Sequence, residues 1–257
     1  MHVTVCQLDN RPGYLDVMLQ ALSTYIKDSR TDFLLLPEMC FSEWLAADPK
    51  PDADRWHAAV ADHARYILEL EQLGVQAVMS TRPIVRKHGS FRNEAYLWTP
   101  ESGPQSVHEK YYLPDEVCYW ENTWYDRGER RFDLCRALGM RIGVQICTEM
   151  WFFEWARHYA ASRADLLCVP RATPHGSVKK WLAGGQAATV CSGAYCLSSN
   201  LWNPPGGRAN CGGLAWIISP DGDILAETST EAPFATVEVD LEFARQSKGT
   251  YPRYVPE

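Results

Sequence analysis

A chain of 257 residues is long enough to bury a sizeable core without disulfide or metal staples, and 46% hydrophobic against 22% charged residues places it among globular rather than disordered or fibrous proteins. The formal charge of −7 argues against a nucleic-acid groove or an anionic membrane surface as the main partner, since both call for a basic face. Small molecules and protein partners remain.

Apolar runs such as Phe33 to Pro37 are far shorter than a bilayer span, and no basic-then-apolar leader opens the chain, so the expected location is the cytoplasm. Nine scattered cysteines, with no Cys-x-x-Cys pair and no histidine cluster at zinc-ligand spacing, predict free thiols and no structural metal.

Val3 to Leu8 alternates as a strand, Arg11-Pro12-Gly13 breaks it, and Leu15 to Ile26 carries apolar residues at helical spacing. The short run Asp32 to Pro37 reads as a strand buried on both faces, with Glu38 just past its carboxyl end. Trp56 to Leu73 has a helical pattern closed by Gly74, and Val75 to Ser80 resumes as a strand. Glu94 to Trp98 and Ser106 to Lys110 are further strands, the second ending on a lysine. Residues 111–131 are rich in aromatics and charge with no clean period, the mark of a long functional loop.

Met140 to Ile146 alternates as a strand, and Trp151 to Ala161 has a helical face, so Cys147 is expected at a strand-to-helix junction where backbone N–H groups favour a thiolate. The commoner role of a cysteine in an apolar run is packing. Ala164 to Pro170, Lys179 to Ser192 and Ala194 to Ser199 predict strand, helix, strand, and Leu214 to Ile218 and Phe234 to Val239 flank the turn at Pro220-Asp221-Gly222. The pattern predicts a single α/β domain over residues 1–257 with two packed sheets and helices outside. A doubly wound single sheet is the alternative, but it leaves no place for the late hairpins and finds no Gly-x-Gly-x-x-Gly or P-loop.

Glu38, Lys110 and Cys147 each stand at the carboxyl end of a predicted strand. A carboxylate can take a proton from a thiol, an ammonium can hold an oxyanion, and a thiolate can attack an acyl carbon. In chain order, Leu35-Leu36-Pro37-Glu38, Glu109-Lys110-Tyr111-Tyr112-Leu113 and Gly143-Val144-Gln145-Ile146-Cys147-Thr148-Glu149 resemble the three catalytic motifs of the nitrilase superfamily of carbon-nitrogen hydrolases. Residues 153–157, 163–170 and 217–226 are similar to that family as well.

The resemblance implies a four-layer α-β-β-α sandwich, paired into a homodimer or higher homo-oligomer. It implies thiol hydrolysis of a non-peptide carbon-nitrogen bond in a small amide or nitrile through a thioester or thioimidate, with no cofactor. It places a second glutamate in the loop after the lysine, where Glu121 fits better than Glu116. Its oxyanion partners are Lys110 and the backbone N–H of Thr148.

Other substrate contacts are expected from Arg171, facing a substrate carboxylate, and from Trp151 and Trp120 as pocket walls, with Trp44 and Tyr119 as further wall candidates. His175 is the one temptation to a Cys-His dyad, and a lone loop histidine more often faces solvent. Tyr112 stands two after the lysine where many members have histidine, and Ala215 five before Pro220 where many have serine; both departures bear on substrate and packing rather than on the chemistry. Met150-Trp151 replaces the paired arginines of D-amino-acid carbamoylases. The same residues also serve nitrile or N-carbamoyl hydrolysis, or acyl transfer to an amine, and a binding or regulatory protein of the same fold is the alternative from a different class.

Overall fold

The computed structural model describes residues 1–255. The first half of the chain forms β1 (His2–Leu8), α1 (Leu15–Ser29), β2 (Phe33–Leu35), α2 (Ala53–Glu69), β3 (Ala77–Val85), β4 (Phe91–Thr99) and β5 (Gly103–Glu109). A short hairpin, β6 (Asp115–Glu116) and β7 (Tyr119–Trp120), runs into a single turn of helix, α3 (Glu121–Trp124). The second half forms β8 (Cys135–Ala137), β9 (Met140–Val144), α4 (Phe153–Ala161), β10 (Leu166–Arg171), α5 (Val178–Ser192) and β11 (Tyr195–Leu201). It closes with β12 (Trp216–Ile218), β13 (Ile224–Glu227), β14 (Phe234–Glu238) and α6 (Leu241–Ser247).

Twelve strands make two wings, in the orders β14-β1-β2-β3-β4-β5 and β13-β12-β11-β10-β9-β8. The wings are paired strand to strand where Gln7 and Leu8 of β1 meet Asn200 and Leu201 of β11. Beyond that seam the sheets face one another. Val3, Val5, Phe33, Leu35 and Met79 share a core with Ile142, Val144, Leu166 and Leu197 of the other wing. The alternate residues Leu34, Val78 and Tyr96 point outward and pack with Leu22 and Ile26 of α1 and with Trp56 and Ile67 of α2. On the far side, Tyr159 of α4 and Trp181 and Ala188 of α5 cover the second sheet. This is the α-β-β-α sandwich.

Local chemistry explains the layers. Every residue of β1 after His2 is buried, as a central strand covered on both faces requires, whereas β13 is exposed or half-buried throughout, as an edge can be. Asp52 caps α2 by accepting the N–H groups of Asp54 and Arg55. Gly143 has no room for a side chain: a Cβ there would lie 2.8 Å from the Tyr159 ring, whose hydroxyl donates to the Val144 carbonyl at 2.9 Å and locks α4 onto β9.

Two expectations change. The long loop after Lys110 contains the β6–β7 hairpin and α3, elements too short to leave a periodic signature. The helix expected from Trp151 begins at Phe153, and Cys147–Trp151 instead forms a tight 3-10 turn, so Cys147 starts a single turn rather than a long helix. That removes most of the helix-dipole argument for a preformed thiolate.

Candidate active site

β2, β9, β10 and β11 run parallel through β1, and β5 regains the same sense after two antiparallel pairings. Their carboxyl ends therefore open on one edge. Glu38 follows β2, Lys110 follows β5, Cys147 follows β9 and Ala172 follows β10. The two sides are tied together there, since the Glu38 N–H donates to the Arg171 carbonyl at 3.2 Å. Gly128 lets the loop return against β5: its N–H donates to the Lys110 carbonyl at 2.9 Å, and a Cβ would sit 2.4 Å from Glu109. Met39 and Cys147 both hold left-handed backbone, at φ 44 and 50, an unfavourable state for residues with side chains that clusters at functional sites.

Glu38, Lys110 and Glu121 are fully buried. The Lys110 ammonium donates to Glu38 Oε1 at 2.7 Å and lies 2.6 Å from Glu121 Oε2. Asn93 Nδ2 also donates to Glu38 Oε1, at 2.8 Å, and the Tyr125 hydroxyl donates to Glu121 Oε2. The other oxygens, Glu38 Oε2 and Glu121 Oε1, have no hydrogen-bond partner although both are buried. A buried carboxylate oxygen without a donor is costly, and it keeps its lone pairs free to accept a proton.

Two carboxylates share one cation in a fully buried place. Burial pushes the Glu121 carboxyl up to about 7, Lys110 pulls it back and Glu38 adds to the rise. Burial would draw Lys110 down, but Glu121, Glu38 and Cys147 outweigh it, and its pKa stands above the ordinary lysine value. Burial also pushes the Cys147 thiol well up, with Glu38 adding to the rise and Lys110 opposing it. Cys147 therefore rests as a thiol, not as the thiolate expected of a helix terminus. Its activation needs a base that takes the proton as the sulfur attacks.

Cys147 and Glu121 line a cavity of about 440 Å³ together with Thr148, Trp151, Tyr119 and Ala172. Thr148 and Trp151 thus line the cavity beside Cys147, as does the exposed Glu116. Trp120 is absent from the cavity wall and packs, half-buried, against the outer hydrophobic cluster instead.

Arg171 corrects the expectation of a substrate-carboxylate contact. It is fully buried, absent from the cavity wall, and donates to Ser198 Oγ at 2.6 Å, Thr173 Oγ1 at 2.9 Å and the Leu214 carbonyl at 2.7 Å. Its guanidinium lies 3.9 Å from the centre of the Trp216 ring. Arg171 stands two past Val169 on the same face of β10, and both are fully buried, so it turns into the packing rather than to the rim. His175 bonds the Asn203 carbonyl at 2.8 Å and forms no dyad with Cys147, whose sulfur neighbours the Ala172 carbonyl at 4.0 Å. Trp44 is buried, its indole N–H spent on the Cys118 carbonyl.

Asn93, Tyr125, His108 and Glu149 bond to or beside the cluster, and no catalytic or binding role was expected for any of them from the sequence. Only the i, i+2 spacing of His108 and Lys110 on one strand face was available to point to any of them. No three His, Cys, Asp or Glu side chains converge as a metal site would, and all nine cysteines are free, among the described residues.

The layers and this edge define an α-β-β-α protein in which a thiol and one carboxylate, Cys147 and Glu121, line a cavity, with the Lys110 ammonium and the Glu38 carboxylate buried behind them. Residues 2–248 match the family model described as carbon-nitrogen hydrolase, and the chain belongs to that family of hydrolases acting on carbon-nitrogen bonds. It is 25% identical over 177 residues to a deaminated glutathione amidase of Synechocystis sp., covering 66% of this chain and 65% of that relative's length. Among solved structures, a carbon-nitrogen hydrolase from Helicobacter pylori G27 superposes with TM-score 0.84 at 17% identity over 99% of this chain and 94% of that one. A glutamate-to-glutamine mutant of the amidase from Nesterenkonia sp. AN1, solved with the acetamide moiety of fluoroacetamide added covalently at its active-site cysteine, superposes with TM-score 0.74 at 21% identity over 96% of this chain and 92% of that one. No helix among the described residues is long and apolar enough to cross a membrane.

Proposed function

We propose that this chain hydrolyses a small amide, with Cys147 as nucleophile, and releases ammonia or an amine. The observation that carries the reading is the buried Glu38–Lys110–Glu121 cluster beside Cys147, with one unmatched oxygen on each carboxylate. Glu38 Oε2 takes the thiol proton as Sγ bonds to the amide carbon. An ammonium has three N–H donors; Lys110 spends two on Glu38 and Glu121 and keeps one for the oxyanion, beside the Thr148 N–H.

The tetrahedral species collapses as Glu38 passes its proton to the departing nitrogen, leaving an acyl thioester on Cys147. Water then adds to the thioester, giving its proton to Glu38. Glu121, poised near neutrality, holds the substrate nitrogen or the water. Collapse expels the thiolate, which recovers the proton from Glu38 as the acid leaves. The covalent adduct at the active-site cysteine of the Nesterenkonia amidase supports a cysteine nucleophile.

Ammonia release from a panel of short aliphatic and amino-acid-derived amides, with nitriles and N-carbamoyl compounds alongside, tests this. Amides turn over in the wild type and Cys147→Ala is silent; turnover that survives the substitution sinks the mechanism.

A further inference from the structure

Two residues before Lys110, on the same face of β5, His108 is 6% exposed. Its Nε2 lies 2.8 and 3.0 Å from the two oxygens of Glu149, which is fully buried. Its Nδ1 lies 2.9 Å from the Arg131 carbonyl. A carbonyl only accepts, so Nδ1 carries a hydrogen. A carboxylate also only accepts, so Nε2 carries one as well, and the ring is an imidazolium.

The alternative puts the proton on Glu149. It is disfavoured because Glu149 also accepts two backbone N–H groups, an environment that stabilises the ionised carboxylate. Those two N–H groups belong to Tyr111, at 2.7 Å, and Ile146, at 2.8 Å. Tyr111 directly follows Lys110 and Ile146 directly precedes Cys147. β5 and β9 belong to different sheets, so one carboxylate joins the two sheet edges between the ammonium and the thiol. The same residue fixes the turn that holds Cys147 at positive φ: its N–H donates to the Ile146 carbonyl at 3.1 Å, and its carbonyl accepts from Gln145 Nε2 at 2.7 Å.

We propose that His108 and Glu149 are positioning residues for the reaction: a buried imidazolium–carboxylate pair that sets the distance between Lys110 and Cys147 across the two sheets. The inference rests on the amide-hydrolase reading for its rate effect, but not for the protonation state of His108. Loss of the ring proton removes the donor and the charge that His108 sets against the carboxylate joining both backbones. Other charges face the pair. Glu109 lies on the same strand, and Arg131 and Asp133 on the loop before β8. Across an open cleft that His108 also lines stand Arg86, Arg92, Arg127 and Glu129. The Phe132 ring covers the imidazole, 4.6 Å between centres. Burial opposes the charge on the ring; Glu149, Arg131 and Glu109 favour it and prevail, so it titrates above an ordinary histidine.

The test has two arms. In the wild type, 15N chemical shifts of the His108 ring report its protonation without any substrate: both nitrogens are protonated at pH 7, and the proton is lost at a pH above the ordinary histidine range. A neutral tautomer at pH 7 overturns the proposal whatever the substrate proves to be. In the second arm, His108→Gln, which keeps a donor toward Glu149 without the charge, lowers kcat about 10- to 100-fold with KM within about twofold. It also abolishes the alkaline fall in kcat that follows the His108 titration. A variant with wild-type kcat, or one that retains that fall, overturns it.

Discussion

Three consecutive residues of one strand end, His108, Glu109 and Lys110, sit in three electrostatic settings. Glu109 faces outward and pairs with Arg86 and Arg92 in a partly solvated network. His108 is buried against Glu149, and both carboxylate oxygens and both ring nitrogens have partners. Lys110 is buried against Glu38 and Glu121, and there two oxygens are left over. The contrast separates a matched buried charge, which fixes geometry, from an unmatched one, which remains able to move protons. Both cost desolvation, and only the second keeps capacity for a substrate.

Substitutions at the unmatched cluster break this contrast most severely. Glu38→Gln removes the base and is expected to lower kcat/KM about 10³-fold or more while the protein stays folded, since it also removes one of two crowded negative charges. Lys110→Met leaves both carboxylates without their cation and costs about 3–5 kcal/mol in urea unfolding in addition to activity. Comparing the two by denaturation and steady-state kinetics separates loss of chemistry from loss of fold.

Arg171 is a matched charge of a third kind, bonded only to neutral acceptors. Arg171→Met strands the partners at Ser198, Thr173 and Leu214 and is expected to cost about 1–3 kcal/mol, read by urea unfolding. The ratio of kcat/KM for anionic and neutral amides stays as in the wild type, because the guanidinium does not reach the cavity.

Glu121 sharpens the comparison through pH. Its folded pKa is raised from 4.5 to about 7, so the unfolded chain ionises first and stability falls as pH rises between those values. Glu121→Gln does not titrate, so it gains more melting temperature over the wild type at pH 8 than at pH 5, at the expense of activity. The smallest effect is at the surface: Arg86→Ala changes stability by no more than about 1 kcal/mol, and added salt shrinks the difference.

The layers were legible because they follow period and burial. The run at 33–36 is apolar and buried on both faces, and the pattern from Trp56 outlasts α2 by one 3-10 turn, Leu70–Leu73, which Gly74 ends in left-handed backbone. The catalytic edge was legible because a strand's carboxyl end can be read from where its alternation stops. Contacts that depend on a side chain's direction were not. Arg171 and Trp120 occupy the right stretch of chain but turn into the packing, and no periodicity reports that Glu149 curls back to Ile146 and Tyr111. Nor did the sequence reveal that the thiol is only 3% exposed, which changes the expected resting state of Cys147 from thiolate to thiol.

Intact and peptide mass spectrometry of enzyme quenched during steady-state turnover of a small amide tests the central claim most directly. A fraction of the protein is expected to be heavier by one acyl group, located on the peptide containing Cys147 and cleared when substrate is exhausted. Acyl mass on another residue, or turnover at the wild-type rate by Cys147→Ala, contradicts it.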